Sequence, residues 1–291
     1  MNSFPSIKTI SLTILLILIW AFSWPIYKLA LPYTPPLLFA GLRTLLGGLL
    51  LTLFLLKQWR LIRWRENKFI YIVSSVLNVI LFYGLQTVGL QYLPSGLFSV
   101  IVYLQPVLIG IMAWLWLGES MSLIKIIGLL IGFIGVITVS SGALSGHISI
   151  IGIVIALVTS LSWATGTVVV KKIGTNTNRM WLVAFQCLIG GFVLSGAGLL
   201  TEQSSHIVWS NPLYLTGLIY GAIVGIPLSW IIYYKLMNAG EVSKVASSTF
   251  LVPLLAVFIG TLVLHEPFTY ALLVGLLFIA ASIYLVNRSA A

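Results

Sequence analysis

The chain has 291 residues, of which 60% are hydrophobic and only 7% charged, against roughly 25% charged in an ordinary soluble domain, so a soluble fold is excluded. Lys and Arg outnumber acidic residues 15 to 5, a net charge of +10 that in a soluble protein would suggest nucleic acid. Here the cations sit between apolar stretches, so the excess speaks of membrane topology and no nucleic-acid partner is expected.

Ten mostly apolar stretches follow one another at 8–29, 35–56, 69–92, 94–117, 122–141, 150–171, 178–201, 213–237, 241–264 and 269–287. At 1.5 Å rise per residue, about 20 residues cross a hydrocarbon core of about 30 Å. The expected fold class is an all-α integral membrane protein with ten transmembrane helices. The first stretch lacks a small-residue cleavage site after a short apolar core and reads as a retained helix.

The first span carries Trp20, Trp24 and Tyr27 on one helical face. Trp20 lies too deep for an interfacial belt, and rings with polar tips suit a pocket for an amphipathic solute, although such stripes also simply pack. Pro25 bends this helix or is tolerated in it. Arg43 falls near the middle of the second span, where a guanidinium costs about 2.5 to 3.5 kcal/mol on insertion scales. It should face the interior, either to bind a carboxylate bidentately or to hydrogen-bond helix ends. The link from Lys57 to Lys68, basic and carrying Trp59 and Trp64, reads as a membrane-surface loop. Trp114, Trp116, Trp181 and Trp209 are expected in interfacial belts as well.

Tyr83 and Gln86 share a face of the third span, and Tyr103 adds a ring in the fourth. Pro106 removes a backbone donor there, which frees carbonyls or bends the helix. Glu119 stands before the fifth span, where an acidic group opposes the positive end of a helix dipole. Gly128-x-x-x-Gly132 and Gly221-x-x-x-Gly225 let helices approach closely and offer a face for a homodimer. Trp163 and Thr167 lie one turn apart in the sixth span, Gln186 in the seventh, and Trp230 and Tyr233 form a stripe in the eighth beside Pro227. Pro253 and Glu266 repeat in the ninth span the pattern of Pro106 and Glu119.

Placing the N-terminus in the cytoplasm puts Lys8, Lys57, Arg60, Arg63, Arg65, Lys68, Lys125, Lys171, Lys172, Arg179, Lys235, Lys244 and Arg288 on that side, leaving only Lys28 near the outer face and Arg43 within a span. The positive-inside rule then gives both termini to the cytoplasm. A shift of 147 lays Pro106 on Pro253, Glu119 on Glu266 and Gly128 on Gly275, and one of 143 lays Trp20 on Trp163, Arg43 on Gln186 and Gly47-Gly48 on Gly190-Gly191. Two five-helix halves follow, 1–145 and 146–291. Because five is odd the second is inverted, an arrangement characteristic of secondary transporters.

With these paired features, Trp in each first helix, Pro in each fourth, and Leu117-Gly118-Glu119 matched by Leu264-His265-Glu266, the chain resembles the EamA family of the drug/metabolite transporter superfamily over its whole length. The resemblance implies a ten-helix exporter or exchanger in the plasma membrane, with four helices of each half around a central cavity. His265 in place of glycine departs from the first repeat.

There is no Asp, while Glu66, Glu119, Glu202, Glu241, Glu266, His147, His206 and His265 all fall at predicted ends or loops, so no deep group is available for a proton relay. That favours facilitated export or exchange of a small organic solute, such as an amino acid or related metabolite, by alternating access. A lipid or lipid-linked flippase, and a channel or membrane scaffold, are the alternatives. Cys187 is the only cysteine and is expected to pack. No enzyme, metal or cofactor is expected, since metal-ligand sets, carboxylate dyads and Ser–His pairs are all missing from the spans.

Overall fold

The computed structural model describes residues 7–89, 91–93, 98, 101–140, 149–240, 242–264 and 270–288. All regular structure among them is helical: α1 (Ile7–Ala30), α2 (Pro36–Leu55), α3 (Trp64–Gly89), α4 (Gln105–Leu117), α5 (Leu123–Ser140), α6 (Ile150–Ile173), α7 (Arg179–Thr201), α8 (Pro212–Ala239), α9 (Val242–Ser248), α10 (Leu251–Leu264) and α11 (Tyr270–Arg288). Among the described residues six helices are long and apolar enough to cross a membrane, namely α1, α2, α3, α6, α7 and α8, each of the first two continued by a tight turn. Shorter apolar helices stand where the fourth, fifth, ninth and tenth spans were expected. Glu241, His147, His265 and Glu266 lie outside the described residues.

The fourth and ninth expected spans are short because each is broken. The chain turns at Tyr103–Leu104 before α4 and at Thr249–Phe250 between α9 and α10. Pro106 then occupies the first turn of α4 and Pro253 that of α10. A proline in a first turn forfeits no hydrogen bond, because those N–H groups have no intrahelical acceptor. Both prolines thus begin a new helical segment instead of bending a continuous one. Gln105 Nε2 donates to Thr249 Oγ1 at 3.0 Å, tying one break to the other.

Two more distortions correspond between the halves. Val76–Gly84 within α3 and Gly221–Leu228 within α8 are widened by one residue per turn. In α8 the cause is Pro227, which lacks an N–H and would collide with the preceding turn of a regular helix. The stretch in α3 contains no proline. Pro25, by contrast, sits inside α1 without ending it.

The longest helix interfaces pair corresponding elements, α2 with α7 and α5 with α11. Close approaches run in opposite senses along α2 and α7: Gly41 meets Ser195, Gly48 meets Leu188, and Leu38 meets Gly198. The pairing is reciprocal. Gly48 against Leu188 is matched by Gly191 against Leu45, and Gly47 against the Ala222 carbonyl by Gly190 against the Ser75 carbonyl. Along the second pair, Gly132 meets Ser282 and Gly135 meets Ile279. A contact between i and j whose mate joins their counterparts is what a two-fold relation produces.

The glycine motifs do serve close approach, and they do so within the chain. Gly128 and Gly132 are spent against α11, Gly221 against the stem of Arg43 and Gly225 against Tyr27 and Tyr220. Trp181 departs from expectation: it is only 2% exposed and donates its indole N–H to the Gln58 carbonyl at 3.1 Å.

Candidate functional site

The aromatic stripes converge. Trp20, Ser23, Trp24 and Tyr27 of α1, Phe82, Tyr83 and Gln86 of α3, Tyr103 at the break before α4, Trp163 of α6, and Gly225 and Trp230 of α8 surround one cavity of about 40 Å³. Trp20 and Trp163, counterparts in the two halves, meet edge to face with centroids 5.2 Å apart and planes at 84°. Phe82 packs on Trp163 at 4.8 Å. Trp230 donates its indole N–H to the Tyr83 hydroxyl at 2.9 Å. Such contacts hold large rings in defined orientations, which makes the wall rigid as well as apolar.

Three polar atoms of this wall are buried without a hydrogen-bond partner: the Tyr27 hydroxyl, Gln86 Oε1 and Trp163 Nε1. Leaving each unmade costs on the order of 1–3 kcal/mol. A solute that reaches them recovers that cost, and they offer it a phenol, an indole donor and an amide acceptor.

Arg43 is fully buried in α2, but its side chain is not on the cavity wall. Its guanidinium carbon lies 3.9 Å from the centroid of the Tyr27 ring, 4.8 Å from Phe39 and 5.4 Å from Tyr83. Nε and Nη1 have no hydrogen-bond partner. Arg43, expected to bind a carboxylate, therefore stands behind a screen of rings whose faces offer it cation–π attraction.

Thr167, Gln186 and Tyr233 likewise lie off the wall. Tyr233 packs against Trp20 at 5.2 Å and approaches Thr167 Oγ1 at 3.5 Å. Gln186 Oε1 accepts from the Tyr234 hydroxyl at 2.9 Å, and Asn78 Nδ2 donates to the same hydroxyl at 3.0 Å. Gln186 thus does not mirror Arg43's surroundings, because Asn78 and Tyr234 replace the stacked rings. The sequence reading missed Ser23 and Phe82 as wall residues, and Gly225, whose missing side chain gives the Tyr27 hydroxyl its place. Ser23 lies three residues from Trp20 and Phe82 four from Gln86, a helical spacing that could have found them.

Glu119 is not the cap of the helix that follows it in sequence. It reaches across to α9, accepting from the Val242 N–H at 2.6 Å and from the backbone and hydroxyl of Ser243, with Lys125 Nζ at 3.4 Å. Glu202 does the same for α2, accepting from Leu37 and Leu38 N–H at 2.8 Å each. Glu202 also borders a larger, more open hollow of about 690 Å³ with Pro32, Gln91 and His206. That hollow lies at the helix ends and lacks the convergent rings, so the smaller cavity is the better candidate for solute recognition. No group of three or more metal-ligating side chains occurs among the described residues.

A family model described as the EamA-like transporter family matches residues 7–141 and again 150–288. The chain belongs to the EamA-like transporter family. It is a multi-pass membrane protein of a family of transporters, not of enzymes. YvbV, an uncharacterized transporter of Bacillus subtilis (strain 168), is 49% identical over 287 residues, covering 99% of this chain and 94% of that protein. A protein of Salmonella typhimurium (strain LT2) named "Probable amino-acid metabolite efflux pump" is 27% identical, covering 94% and 93%. A solved crystal structure superposes with a TM-score of 0.81 at 18% identity, covering 98% of this chain and 99% of that one, a likeness of fold.

Proposed function

We propose that this EamA-family protein is a secondary transporter that exports or exchanges a small organic solute, such as an amino acid or related metabolite, by alternating access. Residues 1–145 and 146–291 act as two five-helix repeats of opposite orientation, ten spans in all, with both termini cytoplasmic. The observation that carries the reading is the chamber: α1 and α3 of the first half and α6 and α8 of the second build one aromatic wall around about 40 Å³. At about 10–15 Å³ of such volume per water, that space holds a few waters and no metabolite. Solute must therefore enter by the parting of the halves.

The antiparallel, reciprocal pairing of α2 with α7 and α5 with α11 supports the inverted arrangement, because halves related in this way can exchange conformations and open a shared site to either side. The two broken helices, tied by Gln105 and Thr249, support a gate at α4 and α9. Pro106 and Pro253 set where those breaks fall, and Pro25 and Pro227 soften α1 and α8 beside the chamber. The solute's apolar body lies among Trp20, Trp24, Tyr103, Trp163 and Trp230, with an N–H of the solute on Gln86. Its carboxylate meets Trp163 and Tyr27 and, once Tyr27 and Tyr83 move, Arg43. Thr167, Gln186 and Tyr233 back the wall.

The test is a thermal-shift screen of metabolites on purified protein, followed by counterflow of the stabilising solutes in proteoliposomes. Saturable counterflow is expected for at least one carboxylate-bearing solute. Conductances far above carrier turnover, or scrambling of labelled lipid with no counterflow, would replace the carrier by a pore or a flippase.

A further inference from the structure

The geometry points to a docking surface for anionic phospholipid headgroups on the segment that joins α2 to α3. Leu56–Ile62 form a short tight helix, and Arg63, at φ 45°, turns the chain into α3. Lys57, Arg60, Arg63, Arg65 and Lys68 are all exposed, against one acidic residue, Glu66, so five cations less one anion leave +4 between 57 and 68. Glu66 is engaged by Arg63. The remaining four cations face outward from a segment that carries no other carboxylate.

This surface is held in place. Trp181 Nε1 donates to the Gln58 carbonyl at 3.1 Å, and the Tyr71 hydroxyl and Asn67 Nδ2 donate to the Ile62 carbonyl at 2.7 and 3.1 Å. Between the cations stand Trp59 and Trp64, 61% and 45% exposed. Indoles are favoured at the headgroup level, and the junction of two long apolar helices lies at the edge of the hydrocarbon layer. Fixed cations alternating with indoles at that depth match phosphodiester charge above and acyl chain below, which neither a nucleic acid nor an acidic protein would do. Juxtamembrane basic clusters attract anionic leaflets within a Debye length. Phospholipid charge then braces the α2–α3 junction and with it the end of α2, the helix that carries Arg43.

The test is thermal unfolding of the purified full chain in uncharged detergent micelles containing equal mole fractions of phosphatidylglycerol or phosphatidylcholine. It needs no solute, so its outcome stands apart from the transport reading. Phosphatidylglycerol is expected to raise the midpoint and phosphatidylcholine not to, with at least half of the rise lost in K57Q/R60Q/R65Q/K68Q and nearly all of it lost for the unaltered chain in 1 M NaCl. The double variant K57Q/R60Q serves if the quadruple one does not fold. A full rise in the variants, or an equal loss in a K172Q/K235Q control, would overturn the assignment.

Discussion

Trp230 donates its indole N–H to the hydroxyl of Tyr83 at 2.9 Å, and the two stand 147 residues apart, the offset that lays the second half on the first. Counterparts that touch each other must lie beside the axis relating the halves. Trp20 and Trp163 do the same at an offset of 143. The chamber is therefore built on the line about which the halves are related, where a single solute can contact both.

The Tyr83–Trp230 bond is expected to couple the halves. Trp230→Phe leaves a buried hydroxyl unpaired and should cost about 1–3 kcal/mol, and Tyr83→Phe a similar amount. The double variant should lose less than the sum, because no orphan remains. Reversible unfolding of the four proteins in micelles measures the coupling; strict additivity would deny it.

Arg43→Met is expected to leave the protein folded, with stability unchanged or higher, while abolishing most counterflow of carboxylate-bearing solutes. The reason is that Nε and Nη1 are buried without partners, and a charge kept in that condition is a cost that a similar-sized apolar side chain removes. Arg43→Lys should not restore transport, since an ammonium lacks the planar face that stacks between Tyr27 and Phe39. Thermal unfolding read beside counterflow separates the two effects. Normal transport by Arg43→Met would remove the residue from the site.

Glu119→Ala should destabilise the protein by about 1–2 kcal/mol, the usual value of a lost cap. Glu119→Gln, which keeps an acceptor for the Val242 N–H, should lose less. Hydrogen exchange locates the change: faster exchange is expected at Val242 and Ser243, although they lie 123 and 124 residues away. Loosening confined to the start of α5 would contradict the capping.

Gly191→Val should prevent α2 and α7 from closing and give little folded protein, because the backbone of Leu45 occupies the place of the new side chain. Gly196→Ala, five residues along the same helix with nothing within 4 Å of the added carbon, should be neutral or stabilising, by up to about 1 kcal/mol from helix propensity. Yield and unfolding midpoint distinguish the pair, and equal behaviour would exclude the interface.

Much of the chamber's lining was legible in sequence because a helix repeats every 3.6 residues. Trp20, Trp24 and Tyr27, read as one stripe, do line one chamber, as do Tyr83 with Gln86. Arg43 was legible only as an interior residue: depth in a span says that a cation must avoid lipid, not which rings will stand before it. The glycines were legible as sites of close approach, but not with which partner. Glu119 carried the mark of a capping acid, and the helix it caps is remote in the chain.

What the sequence determined by itself was which segments are apolar enough to be expected in a bilayer, that their pattern recurs after about 143 to 147 residues, and which faces carry the aromatic rings, since transfer from water to lipid is summed locally, residue by residue. Tertiary structure alone decided that Arg43 lies behind Tyr27 and Tyr83, that Glu119 closes α9, that α4 and α10, each with a proline in its first turn, begin anew after a break, and that the chamber is too small for a metabolite. Those outcomes depend on distances between helices far apart in the chain, where one methyl group more or less at Gly48 or Gly191 sets how near two backbones come, and no local pattern encodes that separation.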